Sequence, residues 1–473
     1  MSAAKFLAWG LVPAALVAQI PSEPPRPAPL AAAPAPAPDP VLASLIEESL
    51  ANNPDLARDL YLVEAEKERP QQARTLPDPS LALGLQNDGF KSIQVGKMPS
   101  SYYLIMVTQP LPWPGKRDLR GEIAGLGVQT SRITAERLRL SVIADMKRAY
   151  FGLLLVRDQR ALLEQQAQVL QKAEGIAKAR YEVGDGSQAD LLRAQLERTR
   201  LRERRLGLEV DERTLVAEIN HLRRGDHQAP VPTSTTLGAT PTPVLEDLEQ
   251  LAARSEEASP EVQAARVDFQ QAELNLDLAK LDRRPDFAVS AGLMPRGGLD
   301  PMWQVGISIG LPIFSKQKQQ RAVAEQGWKR LAVGSGLESV RHMLRQRVED
   351  RQAQLSAALE ILGLYRGGLL VQSESSFSAT LAQYEAGRAS FLGALEALNG
   401  WIADRSAYLQ AQAQALSVAI AQEELTLGPA TPISAPALGA ISLGMGGAAP
   451  SVPSKSASKP GSSPADSGAA KSM

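Results

Sequence analysis

Between Trp303 and Phe314 apolar and small positions alternate: Val305, Ile307, Ile309 and Leu311 are interleaved with Gln304, Gly306, Ser308 and Gly310. Successive side chains of a strand point to opposite faces, so the stretch is apolar on one side and small or polar on the other. In a helix the same apolar residues would scatter around the circumference, and the glycines would weaken it. About ten tilted strand residues cross a bilayer, with the apolar face on lipid and the other face on a lumen. Three further stretches alternate in the same way. Leu81, Leu83 and Leu85 are spaced by Ala82 and Gly84, Tyr102 leads to Leu111, and Phe287, Val289, Ala291 and Leu293 are spaced by small residues. The pattern predicts strands over about 80–87, 102–111, 286–293 and 302–311.

Each pair of strands leads into a long helical pattern. The first predicted helix, 116–181, spans about 100 Å at 1.5 Å per residue. Val142, Met146, Ala149, Leu153, Val156, Leu163, Ala167, Leu170, Ala177 and Tyr181 fall on alternating steps of four and three, broken only by Arg160 and Glu174. That is a coiled-coil seam, which requires a partner helix. Glycines at 184 and 186 permit a turn, Ser187 can cap, and a half-length helix follows over 187–222. A Pro/Thr/Gly-rich linker, 227–243, then separates this unit (41–226) from a second (244–428) with the same punctuation. Asn53-Pro54 and Ser259-Pro260 each supply an N-cap followed by proline at the first helical position. Both Pro54/Pro260 and Pro79/Pro285 are 206 apart, which reads as a gap-free duplication of this block. The second long helix is expected as one piece over 316–384, and its half helix over 390–427. In each unit the half helix and the helix before the strands together match the long helix in length, so they can line it end to end.

Composition narrows the class. Lysine plus arginine and aspartate plus glutamate nearly cancel, leaving a net charge of −1, so there is no electrostatic case for nucleic acid. Aromatic residues make up 4% of the chain, and there is no cysteine, hence no disulfide, thiolate metal site or lipidated N-terminal cysteine. Residues 1–18 read as a signal peptide: Lys5, an apolar run from Phe6 to Val17, and Ala18 at a plausible cut. Residues 19–40 form a Pro/Ala-rich linker, and 429–473 an Ala/Pro/Ser/Gly-rich tail expected to be disordered. No paired nucleophile and base, phosphate loop or dinucleotide fingerprint occurs, so an enzyme is not expected. His221, His227 and His342 have no metal-ligand spacing, and Met98, Met106, Met294 and Met302 are scattered near the strands. Neither a metal site nor a cofactor is expected.

Four strands cannot close a membrane barrel, and an open edge in lipid is forbidden; three copies supply twelve strands. The fold class is therefore mainly α with a small β part. Duplicated long helical hairpins form a tube, and four strands per protomer contribute to a trimeric 12-stranded β-barrel. Trp113, Phe314, Tyr102, Tyr103 and Trp303 suit aromatic girdles at the membrane boundaries.

The duplicated strand–strand–long helix–half helix order, Asn53-Pro54 with Ser259-Pro260, and two Tyr-x-x-Gly turns (Tyr181–Gly184 and Tyr384–Gly387) together resemble the TolC family of outer-membrane efflux channels. The stretch Leu111-Pro112-Trp113-Pro114-Gly115-Lys116, echoed at Leu311-Pro312, is most similar to its CzcC/CusC-like branch, associated with heavy-metal efflux. The resemblance implies a homotrimer in outer-membrane lipid, with its helices in the periplasm as an α-barrel. It also implies an adaptor (membrane fusion) protein and an inner-membrane pump of the resistance-nodulation-division (RND) type, with the channel as a passive exit duct. Asp190 matches an acidic position of the periplasmic entrance gate; the corresponding place in the second unit is Gly393, with Glu396 one turn on. Arg388 is a candidate gate cation, and Tyr181, Gly184, Tyr384 and Gly387 are candidate adaptor-docking tips. A solvated helix face accounts equally for Asp190 and Glu396, and well-made hairpins for the turns. The exit duct of a drug efflux or type I protein secretion system uses the same architecture. A periplasmic coiled-coil adaptor or structural rod is the rival of another class.

Overall fold

The computed structural model describes residues 39–433. The expected signal peptide, nearly all of the 19–40 linker and most of the 429–473 tail lie outside the described residues. Two short helices, α1 (Pro40–Asn52) and α2 (Pro54–Arg74), lead to strands β1 (Ser80–Gln86) and β2 (Tyr102–Leu111). The long α3 (Lys116–Glu182) and α4 (Gln188–Leu222) complete the first unit. The second comprises α5 (Leu248–Ala258), α6 (Pro260–Leu281), β3 (Phe287–Arg296), β4 (Leu299–Ile309), α7 (Gln319–Leu364), α8 (Leu370–Glu385) and α9 (Phe391–Glu424). The helix starts are capped as expected. Asn53 accepts from the amides of Asp55 and Leu56, Ser187 from Ala189, and Ser259 from Val262.

The four strands form one antiparallel sheet in the order β1-β2-β3-β4, so β1 and β4 are free edges. Its register corrects the gap-free alignment of the two units. Leu83 pairs with Ile105, and Ala291 with Val305. Ile105 and Val305 are 200 apart, as are Leu111-Pro112 and Leu311-Pro312, so Leu83 is equivalent to Ala291, 208 residues on. Pro77-Asp78 therefore corresponds to Pro285-Asp286, and two extra residues sit between Pro260 and the second hairpin.

The expected seam of α3 is buried at Val142, Met146, Ala149, Leu153, Val156, Leu170 and Ala177, while Tyr181 at its end is exposed. The burial is broader than one stripe. Between Val142 and Val156 the helix also buries Ile143, Ala144, Tyr150, Leu154 and Leu155. The sheet-side half of α3 lies against α2 and α6, and its far half against α4 and α9. The segment between the units is no loose linker: Val231 and Leu237 enter the same core, and Arg157 donates to the Val231 carbonyl and the Thr233 hydroxyl. Tyr150 donates to Asp39, which also accepts from Ser234. Burial and the Asp39 carboxylate push the Tyr150 hydroxyl up to about 12.

The second long helix is not one piece. A π turn at Tyr365–Leu369, containing Gly367 and Gly368, separates α7 from α8. Tyr384 lies 68 residues after Lys316, whereas Tyr181 lies 65 after Lys116. A π turn places more residues per turn, and so takes up part of that excess without lengthening the rod.

Candidate functional site

Paired residues of neighbouring strands share a face of the sheet. One face carries Leu81, Leu83, Leu85, Tyr103, Ile105, Val107, Val289, Leu293, Trp303, Val305, Ile307 and Ile309, all exposed. Leu83 and Trp303 expose 72% and 76% of their surface. The other face is mostly small or polar, with Ala82, Gly84, Gln86, Thr108, Ser290, Gly292, Gln304, Gly306 and Ser308, and also carries Leu104, Met106, Met294 and Met302. A contiguous exposed apolar face of this size requires a covering, and no element of the described chain packs on it. Tyr102 does not belong with the other aromatics. It lies on the small polar face, where its hydroxyl donates to Gln86 Oε1 at 2.6 Å.

Where sheet meets helices, Lys116 is almost entirely buried, its side chain 3% exposed. Its ammonium reaches Asp286 Oδ1 at 2.9 Å and Asp282 Oδ1 at 3.1 Å, and donates to the Arg284 carbonyl at 3.3 Å. Asp286 Oδ1 also accepts the Trp113 backbone N–H at 2.8 Å. Burial alone would raise the Asp286 carboxyl; the Trp113 amide and the Lys116 ammonium outweigh it and hold the carboxyl below its usual range. The Trp113 ring stacks on Phe287 at 5.6 Å, with the Arg284 guanidinium 5.7 Å from its centre. Gly115 makes the turn into α3 at a φ of 90°, open to glycine at no cost. This clamp joins the start of α3 to the end of α6, and hence the two units. The sequence signal was the Trp-Pro-Gly-Lys run itself; its acidic partners lie some 170 residues away and could not be paired without the fold.

At the far end of the helices, Gly184 and Gly387 turn the chain at φ of 85° and 78°. The two tyrosines of these turns differ. Tyr181 is exposed, whereas Tyr384 is buried beside Phe391, with its hydroxyl donating to the Ala173 carbonyl at 3.3 Å. Arg180, which the sequence reading passed over, ties the turns together. Its guanidinium donates to the Tyr384 carbonyl at 2.6 Å and lies 4.9 Å from the centre of that ring. Burial pushes the Tyr384 hydroxyl up; Arg180 opposes the shift, and the nearby Asp190 charge adds to it. Asp190, half-buried in the first turn of α4, pairs with Arg193 at 3.4 Å. Glu396 and Arg388 are both exposed and are not drawn into this cluster.

The comparisons place this geometry. The model of the outer membrane efflux protein family matches residues 45–219 and 251–426, one match to each unit. The chain belongs to this family. It is similar to the cobalt-zinc-cadmium resistance protein CzcC of Cupriavidus metallidurans, 23% identical over 349 residues, covering 72% of this chain and 78% of that protein. Among solved structures, CusC superposes with a TM-score of 0.69 at 16% identity over 87% of this chain and 98% of its own. VceC from Vibrio cholerae gives 0.68 at 16% identity over 82% and 96%.

The protein is an outer-membrane efflux channel of a tripartite pump, in a family whose members form trimers, and it is not an enzyme. Its sheet lies in the outer membrane and its helices in the periplasm, so the apolar face meets lipid and the small polar face the lumen. Tyr103 and Trp303 then sit towards the hairpin ends, and Trp113 and Phe314 towards the helix end. No helix among the described residues is long and apolar enough to cross a membrane, which says nothing of a barrel. His221 and His227 stack at 6.1 Å. Among the described residues no group of three or more histidines and carboxylates is gathered for a metal. Met294 and Met302 pair across the β3–β4 hairpin on the lumenal face.

Proposed function

We propose that three copies of this chain close a twelve-stranded barrel continued by a helical tunnel, and that this passive duct carries heavy-metal cations. The observation that carries the channel reading is the open four-stranded sheet, apolar on one face, small and polar on the other, and free at both edges. Such a sheet has no stable place in lipid until its edges are paired. The metal substrate is supported by the Trp113-Pro114-Gly115-Lys116 run and by the similarity to a cobalt-zinc-cadmium resistance protein. Energy comes from an inner-membrane pump of the RND type, reached through a periplasmic adaptor docked on the helix tips. Tyr181, with Gly184 and Gly387, offers the exposed surface there; Tyr384 supports it from beneath.

Asp190, beside Arg180 and Tyr384, lines the periplasmic entrance; Glu396 and Arg388 are exposed near the same tips and are not part of that cluster. Carboxylates brought together by threefold symmetry favour cations. The test is deletion of the gene in its host. Cell-associated cobalt, zinc and cadmium rise and fall again on complementation. Unchanged metal content together with new sensitivity to dyes or detergents would overturn the metal assignment and favour a drug duct.

A further inference from the structure

The Lys116–Asp286 pair of the clamp has a second copy that one chain cannot complete, although the place of its other carboxylate, Asp282, is taken by Arg74. With the strand equivalence established by the register, Lys316 corresponds to Lys116 and Asp78 to Asp286. Lys116 follows β2 and meets Asp286 just before the neighbouring strand β3. Lys316 follows β4, an edge strand, and Asp78 precedes β1, the opposite edge. Both side chains are exposed in the protomer. The chain around Lys316 also departs from its counterpart: α3 begins at Lys116, whereas α7 begins only at Gln319.

We propose that Lys316 of one protomer binds Asp78 of the next, so that the seam between copies repeats the β2–β3 seam within a copy. The inference rests on the trimeric channel reading and names the residues that build its interface. The apolar part of the clamp supports it. Within a chain, Trp113 stacks on Phe287 and meets Arg284. The equivalents across the seam are Ile313, Pro79 and Leu76. An aromatic–cation contact is thus exchanged for an aliphatic one, with both sides changed together, and Ile313 is 76% exposed in the single protomer.

The strand ladder supports it too. The β2–β3 register pairs Val107 with Ala291, which transposes to Ile307 of β4 against Leu83 of the next β1, and Ser308 against Ala82. Within the chain, Leu81 pairs with Val107 and Val107 with Ala291, two residues beyond Val289, the equivalent of Leu81. The ladder thus climbs about one residue per strand. At roughly 3.3 Å per residue and 4.8 Å between strands, that is a tilt of about 35°, which lies in the range of closed barrels. The same step repeated around three chains closes on itself.

The absence of native cysteine makes the seam directly testable in the full chain, extracted from outer membranes in detergent. Paired residues of antiparallel strands lie within disulfide reach. Ala82→Cys with Ser308→Cys gives covalent trimers on non-reducing gels; Gln86→Cys with Ser308→Cys, four residues out of register, gives monomers. Independently, Asp78→Lys or Lys316→Asp alone speeds trimer dissociation about tenfold or more, and the two together restore it. A trimer by native mass spectrometry that crosslinks only in the out-of-register pair, or shows no charge-swap rescue, overturns the seam but leaves the channel reading standing. A protein that remains monomeric in every variant and in the wild type overturns both.

Discussion

Removing Lys116 and removing its acidic partners have unequal costs, because the ammonium is buried and the carboxylates are not. Asp282 and Asp286 each expose about half of their side chains, against 3% for Lys116. Lys116→Met keeps the apolar stem, loses one charge-assisted cluster and leaves carboxylates that water can solvate. With a discount for that screening, the cost is about 1–2 kcal/mol. Asp282→Asn with Asp286→Asn leaves a buried ammonium facing amide oxygens and the Arg284 carbonyl, at a cost of about 3–5 kcal/mol. Barrels unfold irreversibly enough that the rate is the sound observable, and about 2 kcal/mol is close to a 30-fold difference in rate. The assay is loss of β-sheet circular dichroism in detergent at a fixed elevated temperature. Acid is the second arm. The Asp286 carboxyl is held below its reference value of 3.8, so its contribution is complete above that value. It fades as pH falls through the lower folded value, and the double variant loses this acid limb. Lys116→Met unfolding as fast as the double carboxylate variant would refute the reasoning, since burial of the ammonium would then not be what sets the cost.

Further outcomes follow from the faces and the tips. Val305→Arg, on the lipid face, costs about 2–4 kcal/mol near the bilayer midplane and lowers outer-membrane assembly. Gln304→Arg, one residue away on the lumenal face, leaves assembly intact in heat-modifiability gels. Arg180→Ala removes the donor to the Tyr384 carbonyl and raises the open fraction in planar bilayers; an unchanged record would place the tie between the turns elsewhere. Asp190→Asn lowers the potassium-over-chloride permeability ratio measured as reversal potential in a salt gradient, while Glu396→Gln, on an exposed face, changes it little.

The parts of this fold that depend on near neighbours in sequence were legible. Alternation placed all four strands, because each strand residue has only two faces to choose from. The caps at Asn53, Ser187 and Ser259 were legible because cap and helix are adjacent. The parts that depend on distant partners were not. Tyr384 and Tyr181 occupy equivalent places in a repeated motif, yet one is buried and the other exposed, because only Tyr384 packs into the cluster of Ala173, Ala177, Ala194 and Phe391 from neighbouring helices. Tyr102 and Tyr103 are adjacent in a strand and so face opposite ways by the pleat alone; the partner that receives the Tyr102 hydroxyl, Gln86, follows from the register of β1 against β2. The π turn at Tyr365–Leu369 arises from a length mismatch between units that neither unit shows alone.

The misplaced repeat alignment is the most instructive case. Matching Pro79 to Pro285 kept the spacing of the helices but displaced the first strand of one unit by two residues against that of the other. It hid the correspondence of Asp78 with Asp286, and with it the reason for an exposed aspartate and an exposed lysine at opposite edges of the sheet. Hydrogen-bond register carries information that proline spacing does not, because it fixes which residues share a height on the barrel. In a duplicated chain that closes with its own copies, the contact completed inside one protomer is the template for the contact left open at its edges.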